Sequence, residues 1–151
     1  MRLVLGRDAM VAEWVAHQLP HVANGEAFGP CAAIGIESLG GDPLGGVVFS
    51  GYQPAYRSIE VSCASASPRW LTRSLIQGIF RYPFDQLDCQ RVTAVTGRRN
   101  RPSRRFLETF GFKREGLVRK GLGEDDAVIY GLLKREWQAS RWARPANSAK
   151  S

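Results

Sequence analysis

Asn100-Arg101-Pro102-Ser103-Arg104-Arg105-Phe106-Leu107-Glu108-Thr109-Phe110-Gly111-Phe112-Lys113-Arg114-Glu115-Gly116 is the stretch on which the fold turns. Pro102 suits the first turn of a helix, where its missing N–H leaves no bond unmade. Ser103, Phe106, Leu107 and Phe110 recur at helical spacing and form one inner face. Gly111 supplies the left-handed residue that ends a helix, and Phe112 turns the chain back into the core. The stretch therefore reads as a strand end, a helix from Pro102 to Gly111, and the start of another strand.

Working outward, Arg91 to Thr96 reads as the strand before that helix. After it, Phe112 to Lys120 and Ala127 to Lys134 make a hairpin around Gly121-Leu122-Gly123-Glu124-Asp125. Upstream, Ser58 to Ala64 alternates most clearly, with Ile59, Val61 and Cys63 on one face. Ser65-Ala66-Ser67-Pro68 breaks the pattern. A helix is predicted from Arg69 to Tyr82, with Leu71, Leu75, Ile76, Ile79 and Phe80 buried, stopped by Pro83. Ala32–Glu37 and Gly45–Tyr52 read as strands joined at Gly40-Gly41-Asp42-Pro43. Residues 2–5 form a first strand, and Asp8 caps a helix to Leu19 with the stripe Met10, Val11, Trp14, Val15 and Leu19. The order is β-α-β-β-β-α-β-α-β-β, an α/β domain over residues 1–138. Residues 139–151 lack periodicity and are expected to be a flexible tail.

The chain has 151 residues, 44% of them apolar, with four Trp and seven Phe to fill a core. No apolar run nears the ~20 residues of a membrane span. Leu3-Val4-Leu5 is too short for the apolar region of a signal peptide. Cys31, Cys63 and Cys89 form no Cys-x-x-Cys pair, so reduced thiols and a cytoplasmic setting are expected. Net charge is +7, concentrated in residues 69–120, where thirteen Arg or Lys face four acids, a net of +9. Such a segment suits an anionic partner: a phosphorylated cofactor, nucleic acid or an acidic protein.

The stretch from Asn100 to Gly116 resembles the GNAT superfamily of N-acyltransferases, most closely the branch with the ribosomal-protein N-terminal acetyltransferases. Asn, Ser three residues on, an apolar helix, Gly-Phe and a later Glu-Gly stand at matching spacing, and the element order agrees. The resemblance implies a central mixed, mostly antiparallel sheet with splayed strands, flanked by helices. It implies acetyl-CoA or another acyl-CoA as cosubstrate, no metal, and a primary amine as acceptor: a protein N-terminus, a small amine or an aminated base. Short, divergent members of this kind resemble phage-carried proteins, and a homodimer is compatible with them.

By the same resemblance, the strand at Ser58–Ala64 splays from its neighbour and the backbone of Val61, Ser62 and Cys63 meets pantetheine as an added strand would. Asn100, Ser103 and Phe106 are expected at the cofactor, although Asn100 also suits a loop and Ser103 a helix cap. The following helix N-terminus would take the pyrophosphate. Here the chain departs from the family: Ser67-Pro68-Arg69-Trp70-Leu71-Thr72-Arg73 holds none of the usual glycines. Either Arg69, Trp70, Leu71, Thr72 and Arg73 supply the contacts, led by charge-assisted bonds from the arginines and Thr72, or coenzyme binding is lost and the fold serves binding or structure. Arg98, Arg99, Arg101, Arg104 and Arg105 exceed what one 3′-phosphate needs, which leaves a nucleic-acid-facing patch or a solvated rim.

Glu60 is the candidate general base, on the strand beside pantetheine. Leu107 stands where many members place a tyrosine acid, with Tyr130 as a weak substitute. His17 and His21 have the i,i+4 spacing of metal ligands, but Pro20 lies between them and no third ligand is evident. Cys63 is in phase with the core, which favours packing over nucleophilic chemistry.

Overall fold

A computed structural model describes residues 1–66 and 72–144. Its strands are β1 (Arg2–Val4), β2 (Cys31–Glu37), β3 (Pro43–Gln53), β4 (Ser58–Ser65), β5 (Arg91–Gly97), β6 (Lys113–Leu122) and β7 (Asp125–Leu133). Its helices are α1 (Asp8–Gln18), α2 (Arg73–Arg81), α3 (Arg101–Thr109) and α4 (Lys134–Ala139). The seven strands form one sheet in the order β1-β2-β3-β4-β5-β7-β6. Among the described residues only β4 and β5 run parallel, which a crossover through α2 allows. The mixed, mostly antiparallel sheet expected from the sequence is therefore present.

One face of the sheet carries the main core. Phe49, Ile59, Val61, Val92 and Tyr130 pack there against Ile76, Ile79 and Phe80 of α2, Leu107 and Phe110 of α3, and Trp137 of α4. The Phe80 and Trp137 rings lie 4.7 Å apart. The other face is covered over β2 to β4 by α1, through Val11, Ala12 and Val15 against Ala33, Val48 and Ala64.

Several local readings are corrected. Asp8 is the first helical residue, not the cap, which is Arg7. The Asp8 carboxylate instead accepts the Ala33 N–H at 3.0 Å and ties α1 to β2. Met10 is 53% exposed and lies off the buried stripe; Ala12 and Ala16 take its place. α2 is capped by Thr72, which is extended and whose hydroxyl accepts the Leu75 N–H at 3.3 Å; the Arg69–Leu71 part of the predicted helix lies outside the described residues. Residues 139–144 are docked rather than frayed. Trp142 stacks edge-on to Phe110 at 4.9 Å and donates its indole N–H to the Thr109 carbonyl. The Gln77 amide donates to the carbonyls of Trp142 and Arg144. The rest of the expected tail lies outside the described residues.

Candidate functional site

The parallel pair β4–β5 stays in register for four residues only, from Ser58 opposite Arg91 to Val61 opposite Ala94. Beyond that point β4 continues beside β3, with Ser62 to Ser65 opposite Val48 to Gly45. β5 continues beside β7, with Val95 to Gly97 opposite Ile129 to Ala127. The sheet thus divides into two ladders that diverge. Among the described residues, the facing edges of β4 at Ser62 to Ala64 and of β5 at Val95 and Thr96 are not paired with each other. Main-chain donors and acceptors there are available to a ligand.

A cleft of about 250 Å³ occupies the opening. Its walls come from both faces of the sheet. Val61, Cys63, Ala94 and Thr96 point to the α2–α3 side, where Asn100, Pro102, Ser103, Phe106 and Leu107 complete that end. Ser62, Ala64 and Val95, one residue out of phase, point to the α1 side, where Gln18, Leu19 and His21 line the other end. Since alternate strand residues face opposite ways, a cavity lined by both sets passes through the sheet.

The walls are apolar or neutral and polar, with His21 and Cys63 the titratable groups among the lining residues described. Burial pushes the Cys63 thiol up to about 12, so it stays protonated at neutral pH. Burial lowers the pKa of His21, leaving a neutral imidazole at pH 7. A slot with these walls fits a thin, uncharged, amide-bearing chain, with charged groups accommodated only at its ends.

Asn100 caps α3: its side-chain oxygen accepts the Ser103 N–H at 3.2 Å. The amide NH₂ is not used by that bond, and Asn100 lines the cleft. Ser103 is not the cap; its hydroxyl accepts from Thr96 at 2.8 Å, bridging α3 to β5. Phe106 lines the cleft and meets Phe110 edge-on at 4.8 Å. Val61, Ser62 and Cys63 straddle the point of divergence. Thr72 and Arg73 stand at the start of α2, whose first turn carries no acid. The expectations for Arg69, Trp70 and Leu71 lie outside the described residues.

Glu60 sits one residue before the divergence, exposed and outside the cleft lining. Its carboxylate lies over Gly51, where an added Cβ would be 3.3 Å from Oε2. Tyr130 is fully buried, and its hydroxyl donates to Glu108 at 3.1 Å and accepts from Arg104 at 3.3 Å. That commitment removes it as an acid for the cleft. No group of three or more metal-ligating side chains exists among the described residues; His17 instead pairs with Glu13 at 3.3 Å. No helix among them is long and apolar enough to cross a membrane.

The basic segment is partly neutralised in space by acids from elsewhere in the chain. Arg98 meets Asp126, Arg99 meets Asp125, Lys120 meets Glu124 and Lys113 meets Glu136. Arg91 is bonded to Glu115. A nucleic-acid patch gains no support from this arrangement, while arginines at the rim near Asn100 and Pro102 remain beside the cleft.

His21, Gln18, Leu19, Val95 and Thr96 were not among the residues singled out by sequence for the site. The signal for His21 was Pro20: it ends α1 and turns the next residue off the helix, breaking the geometry with His17 that i,i+4 spacing suggests.

An α/β sheet opened at its one parallel pair, with a slot running through the opening, defines an acyltransferase-type fold. The comparisons agree. No family model matches the chain. The provisionally named ribosomal N-acetyltransferase YdaF of Bacillus subtilis is 37% identical over 67 residues, 42% of this chain and 37% of that protein. The uncharacterised N-acetyltransferase YnaD of the same organism is 31% identical over 65 residues, 40% of this chain and 38% of that protein. The match thus spans less than two-fifths of either relative. Among solved structures, a provisionally named acetyltransferase from T. thermophilus superposes with a TM-score of 0.65 at 25% identity, over 90% of this chain and 87% of that one. Mutant forms of the spermidine/spermine N-acetyltransferase SpeG from Vibrio cholerae give 0.69 at 16% identity, over 90% and 97%, a likeness of fold. The chain has the fold of the GNAT N-acetyltransferases.

Proposed function

We propose that the chain is an acyl-coenzyme A-dependent N-acyltransferase that transfers an acyl group, acetyl first among candidates, to a primary amine in a cytoplasmic setting. The observation that carries the reading is the neutral-walled slot through the sheet at the β4–β5 divergence. In this reading the edge of β4 that opens from Val61 through Ser62 and Cys63 bonds the pantetheine amides. The Asn100 amide donates to the same arm, Ser103 holds Asn100 in place, and Phe106 packs against the chain. Thr72, Arg73 and the free N–H groups of α2 meet the pyrophosphate. The thioester end then emerges on the α1 side, where an amine enters from solvent and Glu60 attracts it as an ammonium.

The family names of the curated relatives support the reaction class. The glycine-free stretch Ser67–Arg73 favours a second reading, a GNAT fold kept for binding or structure. Thermal unfolding with coenzyme A tests the first. A ligand at ~100 times its Kd adds about 2.7 kcal/mol, which for a domain of this size raises Tm by roughly 5–10 °C. An unchanged Tm at millimolar coenzyme A would sink the acyltransferase reading.

A further inference from the structure

We infer that His21 takes the proton released by the amine during acyl transfer, an assignment that rests on the acyltransferase reading above. The cleft selects it by elimination and by position. Of its described lining residues, only His21 and Cys63 can exchange a proton, and the buried Cys63 thiol holds its own. Tyr130 is committed to Glu108 and Arg104 in the core. Glu60 lies over Gly51, outside the lining.

The chain sets His21 at the α1-side mouth. Leu19 leaves α1 in extended conformation, with its N–H bonded to Ala16, and the Val22 N–H returns to the Leu19 carbonyl at 3.4 Å. That turn presents the ring beside Ser62, Ala64 and Val95, at the opposite end from Asn100 and Ser103. A cosubstrate seated against Asn100 therefore ends where His21 begins.

Burial against the cleft wall is the cause that lowers the His21 pKa. The charged and titratable groups facing this region are otherwise engaged or distant. Glu13 of α1 accepts the Gly25 N–H at 2.7 Å and pairs with His17. Cys63 and Glu60 stand on β4, Arg91 of β5 is bonded to Glu115, and the α3 arginines are at the far rim. The imidazole is thus a neutral acceptor at pH 7, the form that general-base catalysis needs.

The step balances without any further reactant. The amine, made neutral by loss of its ammonium proton to solvent, forms a bond from nitrogen to the thioester carbonyl carbon, and the carbon–sulfur bond breaks with its electron pair on sulfur. The nitrogen's proton passes to the imidazole, and the imidazolium returns it to the thiolate, leaving amide and free thiol.

Two measurements test the assignment. The chain has two histidines, so imidazole NMR resolves His21 against His17 as a control. Coenzyme A should shift the His21 resonances and leave His17 in place. Thiol release from acetyl-CoA, with alaninamide as the probe amine, should fall on the acid side with a midpoint below 6.5, the ordinary histidine value. His21→Gln should bind coenzyme A as before, lose that acid limb, and release thiol about a hundredfold more slowly or worse. Glu60→Gln should be slower while keeping the limb. A His21→Gln enzyme with normal rate and limb, or a limb abolished by Glu60→Gln instead, overturns the assignment. So does coenzyme binding by the wild type with no thiol release. Absence of coenzyme-induced warming is a different failure, that of the acyltransferase reading itself.

Discussion

Asn100 does two jobs with one amide. Its oxygen accepts the Ser103 N–H to start α3, and the residue lines the cleft, where its amide nitrogen is proposed to meet the cosubstrate. The two are separable by substitution. Asn100→Ala removes the cap and should cost about 1 kcal/mol, or about 2–4 °C in Tm. Asn100→Asp keeps an acceptor and places a negative charge at a helix N-terminus, so its Tm should stay near that of the wild type. Both lose the amide donors and should weaken coenzyme A binding in calorimetry. If Asn100→Asp binds normally, the amide is a cap and nothing more. The residue pattern allowed a cosubstrate donor or a loop residue bonding its own backbone, and the structure shows the backbone bond, as a helix cap. What it did not reveal was the division between them, because a cap and a ligand donor draw on the same residue type. Ser103 shows the converse: its place in the first turn suggested a cap, but its hydroxyl is taken by Thr96 across the β5–α3 junction, a contact with no signature in sequence.

The elements were legible where apolar spacing was strong and misread where close backbone approach mattered. β4 and α3 fall where alternation and helical spacing put them. The face of α1 does not, because the sheet beneath it is lined with glycine. At Gly46 an added Cβ would lie 2.6 Å from Val15 Cγ2, and at Gly35 it would lie 3.1 Å from Val11. A helix seated that closely takes Val and Ala against the sheet and turns Met10 outward. Gly46→Ala should therefore push α1 off the sheet and destabilise the domain by about 1–3 kcal/mol, seen as a lower midpoint in denaturant. Because α1 leads into Leu19 and His21, the same substitution should alter the α1-side mouth. Coenzyme A affinity, set mainly at the α3 end, should change less than acyl transfer. A Gly46→Ala domain as stable as the wild type would show that the sheet–helix contact yields at no cost.

At the scale of the whole molecule, charge is read differently along the chain and in space. The run from 69 to 120 is strongly basic, yet Asp125, Asp126, Glu124 and Glu136 fold back onto it. Two of these carboxyls, Glu136 and Asp126, make the fold sensitive to acid. The Glu136 carboxyl is held below its ordinary 4.5, first by the Lys113 ammonium at 2.5 Å and then by the Leu133 N–H at 3.0 Å. The Asp126 carboxyl is lowered by the Lys120 N–H, with Arg98 adding to it. A carboxyl whose pKa is lower folded than unfolded adds stability above the unfolded value and loses it as pH falls through the folded one. Thermal midpoints should therefore decline below about pH 4.5. Glu136 gives the cleanest test, since it joins α4 to β6 and is largely shielded, while Lys113 is mostly in water and moderates the gain. Glu136→Gln keeps an acceptor for Leu133 but no charge for Lys113, and should lose on the order of 0.5–1 kcal/mol at pH 7. As pH falls, protonation removes the same charge from the wild type, so the two melting curves should converge. A gap that persisted unchanged at pH 3 would place the stabilisation in packing rather than in the ionised carboxylate.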